Sequence, residues 1–302
     1  YFTKSMCYNM PVNQIKGRFF VMKRLKKALC VLLGAAMGLT VAFSVTGCGK
    51  TVIGFDADLA RAVGEELGLE VEFKVISWDS KVTDLNAGYI DCVWNGMTIL
   101  PELHNEMTIS VPYMSNQQIA VIRKTDASKY TSTDAIASSD ARITAEAGSA
   151  GEELMTENFP DNDRKSAKDM MSALLDVSNN ACDVAILDSI LAGYMLEEDN
   201  SYSEKLMIVP GLSFSQEEYG IGFRKGHLAT AAKFNETLWK LKNDGTVDEI
   251  AARYGLTESL TLGSDYTPFD EIADKSDWEA LVERGKLVVG ITIFAPMDFY
   301  QE

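Results

Sequence analysis

From residue 56 to residue 254, short apolar runs of strand length alternate with stretches of helical periodicity. That alternation restricts the chain to mostly parallel sheets flanked by helices. Residues 56–67 place Leu59, Ala60, Val63 and Leu67 on one helical face, with Gly68 behind them as a stop. Strands follow at 71–76 and 89–94, with a helix at 80–86 between them. A second set comprises strand 142–145, helices 151–158 and 167–177, strand 184–187 and helix 189–197. A long helix at 228–243 runs up to Gly245, and Thr246 is placed to cap a last helix at 247–254. Two further extended segments, 118–122 and 219–223, are natural crossings between two lobes. In such folds a ligand sits in the crevice at the carboxyl ends of the strands.

The 302 residues suffice for about two domains. All seven charges before Cys48 are positive, which leaves 21 Lys and Arg against 44 Asp and Glu beyond it, a net charge of -23. A surface this acidic disfavours nucleic acid or an anionic membrane face as partner. Met22 opens a short basic stretch, residues 28–45 are uncharged and apolar, and Val45-Thr46-Gly47-Cys48 follows. That order is what a secretory signal needs. Small residues before a cysteine resemble a lipobox, which would make Cys48 the lipidated mature N-terminus. Residues 1–21 precede this start and are expected to fall outside the biological product. Gly49-Lys50-Thr51 lacks the upstream glycine of a phosphate loop, since Ser44 stands there, so no nucleotide site is expected. Beyond Cys48 only Cys92 and Cys182 remain, both in apolar strand-like contexts, and they read as buried free thiols. The histidines, His104 and His227, have no metal-ligand spacing, and no metal or cofactor is expected.

Several stretches, each weak alone, resemble in order the amino-acid-binding family of periplasmic binding proteins, the receptors of ATP-driven importers. They are Gly54-Phe55-Asp56-Ala57-Asp58-Leu59, Trp78-Asp79-Ser80, Asn95-Gly96-Met97-Thr98 with Pro101-Glu102, Ala147-Gly148-Ser149, Asp183-Val184-Ala185 with Asp188, and Tyr219-Gly220-Ile221-Gly222-Phe223. The resemblance covers about residues 51–256. It implies an α/β, two-lobed, type II (Venus-flytrap) fold and a receptor for an amino acid or amino-acid-like solute. Its partners would be the permease of an ABC importer and, through the lipid, the membrane. The chain would be an extracytoplasmic monomer with no catalytic residues.

A zwitterion needs an anion for its ammonium and donors for its carboxylate. The resemblance implies that Asp188 holds the ammonium; the alternative is a helix cap. Ser149 and Ala150, at a helix start, can present backbone N–H groups to an anion. Gly96 and the Thr98 hydroxyl would complete that cradle, or serve ordinary turns. Trp78, Trp94, Thr292 and Phe294 are the pocket-wall candidates, with Trp94 equally suited to the core. Glu146, if it points inward, favours a cationic ligand. One departure matters: the family usually carries an arginine where Leu103 stands, so the usual carboxylate fork is missing. Arg142 and Arg224 read as structural.

A second departure concerns order. The family begins with a strand and an aromatic-Pro loop, which here are missing ahead of Thr51. Their counterpart lies at the far end, in the apolar run 286–293 followed by Phe294-Ala295-Pro296-Met297. The chain therefore reads as circularly permuted, with 257–276 joining the old ends. A tandem-fusion fragment and an artefact of sequence assembly are the other origins. The expected division is 1–48 upstream segment and signal, 49–119 lobe 1, 120–218 lobe 2, and 219–302 the rest of lobe 1. Rival readings are an enzyme on the same fold, such as a cyclohexadienyl dehydratase-like protein, and the sensor lobe of a signalling receptor.

Overall fold

A computed structural model describes residues 51–301 apart from Asp199. The expected signal segment and Cys48 lie outside the described residues. The strands are β1 (Val52–Ile53), β2 (Glu70–Val75), β3 (Cys92–Thr98), β4 (Met107–Ile109), β5 (Met114–Arg123), β6 (Arg142–Glu146), β7 (Asp163–Ala167), β8 (Val184–Asp188), β9 (Leu206–Arg224), β10 (Lys286–Ile291) and β11 (Phe299–Tyr300). Nine of them form one mixed sheet ordered β2-β10-β3-β9-β5-β8-β6-β7, with β4 paired to β9, while β1 and β11 pair separately.

Two long strands serve both halves of this sheet. The antiparallel ladder of β5 and β9 runs from Met114↔Tyr219 to Arg123↔Leu206. β3 and β4 pair with the C-terminal part of β9, whereas β8 pairs with β5 between Gln118 and Ile122. The crossings are thus longer than the segments 118–122 and 219–223. β8, β6 and β7 are mutually parallel, and the helices Ala150–Asn158 and Met170–Ser178 cover them. Each helix opens on a side-chain cap: Ser149 Oγ accepts from Glu152 N and Asp169 from Ser172 N. Arg142 and Arg123 both pair with Asp183, and Arg224 donates to Leu85 O. Cys92 and Cys182 are buried free thiols.

The other half is built around β10. It lies between β2 and β3, parallel to both, with six consecutive register pairs from Lys286↔Glu70 to Ile291↔Val75. Leu287, Val289 and Ile291 are fully buried, as an interior strand of a parallel sheet requires. The turn after it closes onto the start of the described chain. Phe55 N donates to Pro296 O and Asp56 N to Met297 O, and β1 pairs with β11 through Val52↔Tyr300. Gly54 has φ 132°, and a Cβ there would stand 2.1 Å from Met297 O, so glycine is required at this close approach.

Two expectations need correction. Gly245, in the left-handed region at φ 90°, is the N-cap of helix Thr246–Arg253, while Thr246 bonds to Asp244. The helix expected over 167–177 begins at Met170, because Ala167 ends β7, a strand over 163–167 that the sequence reading does not contain.

The seam between the C-terminal turn and the rest is polar. Asp56 accepts from Gly96 N at 2.7 Å and Tyr113 O–H at 2.9 Å. Asp298 accepts from Asn95 Nδ2 at 2.6 Å, and Asn95 also bonds both ways with Thr292. Both carboxyls are fully buried, and burial pushes both above the usual range, with the Asp56 charge adding to the rise at Asp298. The folded state therefore binds protons more tightly than the unfolded chain, and this seam's contribution to stability falls as pH rises from about 4 through neutrality. Asp298→Asn, which imitates the protonated acid, is expected to flatten that decline. Thermal midpoints of both proteins between acid and mildly alkaline pH check it; identical slopes would show that Asp298 does not titrate with folding.

Candidate functional site

The ends of β3, β6 and β8 face one another across a cavity of about 20 Å³, which has room for roughly one water molecule. One wall carries Trp78, Lys81, Gly96, Thr98, Leu103 and Phe294; the other carries Glu146, Ser149, Ala150, Met170 and Asp188. The two walls touch. Lys81 Nζ donates to Gly148 O at 2.8 Å, and a Cβ on Gly148 would lie 2.7 Å from Asp79 Cα. Gly96 holds φ 56° with Phe294 so close that a Cβ would be 2.5 Å from its ring. The Phe294 ring meets Tyr219 edge-on at 6.5 Å.

Asp188, at the end of β8, is 1% exposed. It accepts from Tyr219 O–H and from Gln118 Nε2. Gln118 Nε2 also donates to Glu217 at 3.0 Å, so one amide joins two carboxylates. Burial, reinforced by the Glu217 charge, pushes Asp188 up to about 7 against the pull of these hydrogen bonds. Glu146, at the end of β6, is 2% exposed and its Oε1 has no hydrogen-bond partner. Burial pushes its carboxyl well above the usual range, and the Asp188 charge adds to the rise. Burial lowers the Lys81 ammonium, while the Glu146 charge opposes that shift.

Eight of the ten residues expected at the site line this cavity: Asp188, Thr98, Gly96, Ser149, Ala150, Trp78, Phe294 and Glu146. Two do not. Trp94 is fully buried and packs against Tyr113 and Phe234, which makes it a core residue. Thr292 spends its hydroxyl on Asn95 Oδ1 at 2.7 Å. Most of the donors expected for an anion are engaged within the protein: Thr98 O–H to Glu217 at 2.9 Å, Gly96 N to Asp56 at 2.7 Å, Gly148 N to Glu152 at 2.7 Å, and Ser149 N to Glu146 O at 3.2 Å, which leaves the Ala150 N–H at the helix start. Lys81 lines the same cavity, and Gln118, Glu217 and Tyr219 form the hydrogen-bonded surround of Asp188; none of the four was among the residues expected there. Lys81 left a signal, three residues after Trp78, and Tyr219 opens one of the stretches that carry the resemblance.

A sheet in two halves joined by β5 and β9, with a cavity lined from both, narrows the comparison with known proteins. The profile of the bacterial extracellular solute-binding proteins, family 3, matches residues 38–257, well over half of the chain. The chain belongs to this family. The match stops before the segment that carries β10. Among family relatives, the probable histidine-binding protein of Neisseria gonorrhoeae is 29% identical over 206 residues, covering 67% of this chain and 75% of that protein. The ancestral amino acid-binding protein AncCDT-1, a precursor of cyclohexadienyl dehydratase, is 30% identical with a TM-score of 0.61, over 66% of this chain and 84% of that one. A histidine-bound substrate-binding protein of an ABC uptake transporter from Streptococcus pneumoniae is 28% identical with a TM-score of 0.62, over 68% and 85%. The fold is accordingly the two-lobed α/β fold of periplasmic binding proteins, and the family is one of extracytoplasmic amino-acid binders that work with ABC importers.

Proposed function

We propose that this chain is an extracytoplasmic lipoprotein that captures an amino acid or amino-acid-like solute between its lobes and delivers it to an ABC importer, without catalysis. The observation that carries the proposal is the buried Asp188 carboxylate at the floor of a cavity lined from both halves of the sheet. An ammonium docked there gains a charge-assisted bond out of water. Lobe 1 comprises residues 49–119 and 219–302, and lobe 2 comprises 120–218. Bending at β5 and β9 opens the cavity, and ligand contacts made by both walls favour the closed form that the permease recognises. Cys48 carries the lipid. The chain is a permuted member of its family, and the position of β10 between β2 and β3 supports that reading.

A thermal-shift screen of amino acids and their derivatives tests the proposal. A specific ligand is expected to raise the midpoint in proportion to the logarithm of its concentration above its Kd. Turnover of a prephenate-like substrate would instead make the protein an enzyme, and a screen flat for amino acids and for their decarboxylated amines alike would remove the receptor reading.

A further inference from the structure

We propose that the cleft selects an organic cation that has no free carboxylate: a primary amine or guanidine, such as the linear amine that remains when a basic amino acid loses its carboxyl group. The inference rests on the solute-binding reading and narrows its ligand class.

Three carboxylates converge on this end of the cavity. Glu146 and Asp188 end the neighbouring parallel strands β6 and β8, and both line the cavity. Glu217 stands behind Asp188, tied to it through Gln118 Nε2. Glu146 supplies the decisive observation. It is 2% exposed, it faces the cavity, and its Oε1 has no partner. A buried carboxylate with no donor escapes the cost of its charge by holding a proton, and a cationic donor that meets Oε1 is what lets it take its charged form. Among the described residues lining the cavity, Lys81 is the one cation. It serves as a bolt between the walls, donating to Trp78 O at 3.3 Å and Gly148 O at 2.8 Å. Its charge pulls on Glu146 without bonding to Oε1.

Apart from the Ala150 N–H, the groups that could receive a carboxylate are already occupied by the protein's own acceptors. Thr98 gives its hydroxyl to Glu217 at 2.9 Å. Gly148 N donates to the Glu152 carboxylate at 2.7 Å, and Ser149 donates from both N and Oγ to Glu146 O. Leu103 adds only apolar surface to the wall. A ligand carboxylate would therefore enter a cavity lined by two acids, with a third behind them, and find most of its donors taken. Rejection by unpaired buried charge is a strong discriminator. A cation meets the opposite conditions: it neutralises the repulsion between Glu146 and Asp188, while Trp78 and Phe294 offer aromatic surface to its stem.

Calorimetry on the purified chain near neutral pH tests this with matched pairs: cadaverine against lysine, and agmatine against arginine, with glutamine and histidine as zwitterions of neutral side chain. At least one amine is expected to bind roughly tenfold tighter, or more, than its amino acid. Glu146→Gln is expected to weaken that amine by a similar factor. Lysine or arginine binding as tightly as its amine would overturn the inference, as would an unchanged affinity in Glu146→Gln. Glutamine or histidine binding while every amine is silent overturns the cation reading and leaves the receptor reading standing. Silence of all these probes and of the wider amino-acid screen removes both.

Discussion

A chain that ends at Gly285 is expected not to fold. The residues lost include Leu287, Val289, Ile291, Phe294 and Met297, each no more than 2% exposed. Burying side chains of this size stabilises by about 1.5–3 kcal/mol apiece, so the loss is on the order of 10 kcal/mol. A domain's whole net stability is about 5–15 kcal/mol. The truncation also splits the sheet, because β2 reaches β3 only through β10. Asn95 loses Thr292 and Asp298 as partners, and Phe55 N and Asp56 N lose the carbonyls of Pro296 and Met297. Buried groups left unpaired cost more than the bonds were worth. Circular dichroism against temperature checks the prediction. A cooperative melt within a few degrees of the full chain would mean that β10 is an appendage, and the permuted reading would fall with it.

The alternation of helix and strand was legible because burial imposes it. Val63, Leu59 and Ala60 recur at helical spacing since one face of their helix meets the sheet, and β10 reads as an apolar run because both its faces are covered. β7 was illegible for the complementary reason. Its residues Asp163 to Ser166 are exposed, so no apolar pattern marks this edge strand. The cleft was legible where side-chain chemistry and local position coincide, as at Asp188 after a buried strand and Ser149 before a helix. Trp94 was ambiguous, because a tryptophan on a buried strand has two faces to choose from, and only packing with Tyr113 and Phe234 decides. Glu217 could not be found at all. Its role comes from the β5–β9 ladder, which sets it beside Asn116 and Gln118 and within reach of Thr98, about a hundred residues away in the chain. Contacts across that separation leave no spacing to read.

Replacing Asp188 by asparagine is expected to separate ligand binding from stability, in opposite directions. The carboxylate is 1% exposed, and burial raises it from 3.8 to about 7. A raised carboxyl favours the fold fully below its unfolded value and loses that favour as pH climbs through the folded one. Above neutrality the ionised acid is therefore a burden on the unliganded protein, and a side-chain amide in its place, uncharged at every pH, removes it. The melting midpoint of Asp188→Asn in mildly alkaline buffer is expected to equal that of the natural protein or to exceed it by a few degrees. Binding moves the other way. An ammonium that meets a neutral amide loses its counter-charge in a site closed to water, a change of the kind that costs about 2–5 kcal/mol, or upward of thirtyfold in Kd. The amide keeps the shape of the acid, so a steric cause is excluded. Calorimetry with the strongest ligand from the screen, beside thermal melts of the unliganded proteins, measures both arms. A destabilised variant that binds normally would make Asp188 a structural acid and move the ammonium site elsewhere in the cleft. A stable variant that fails to bind puts the ligand's positive charge on this carboxylate, because a purely structural acid would not spare the fold while abolishing the ligand.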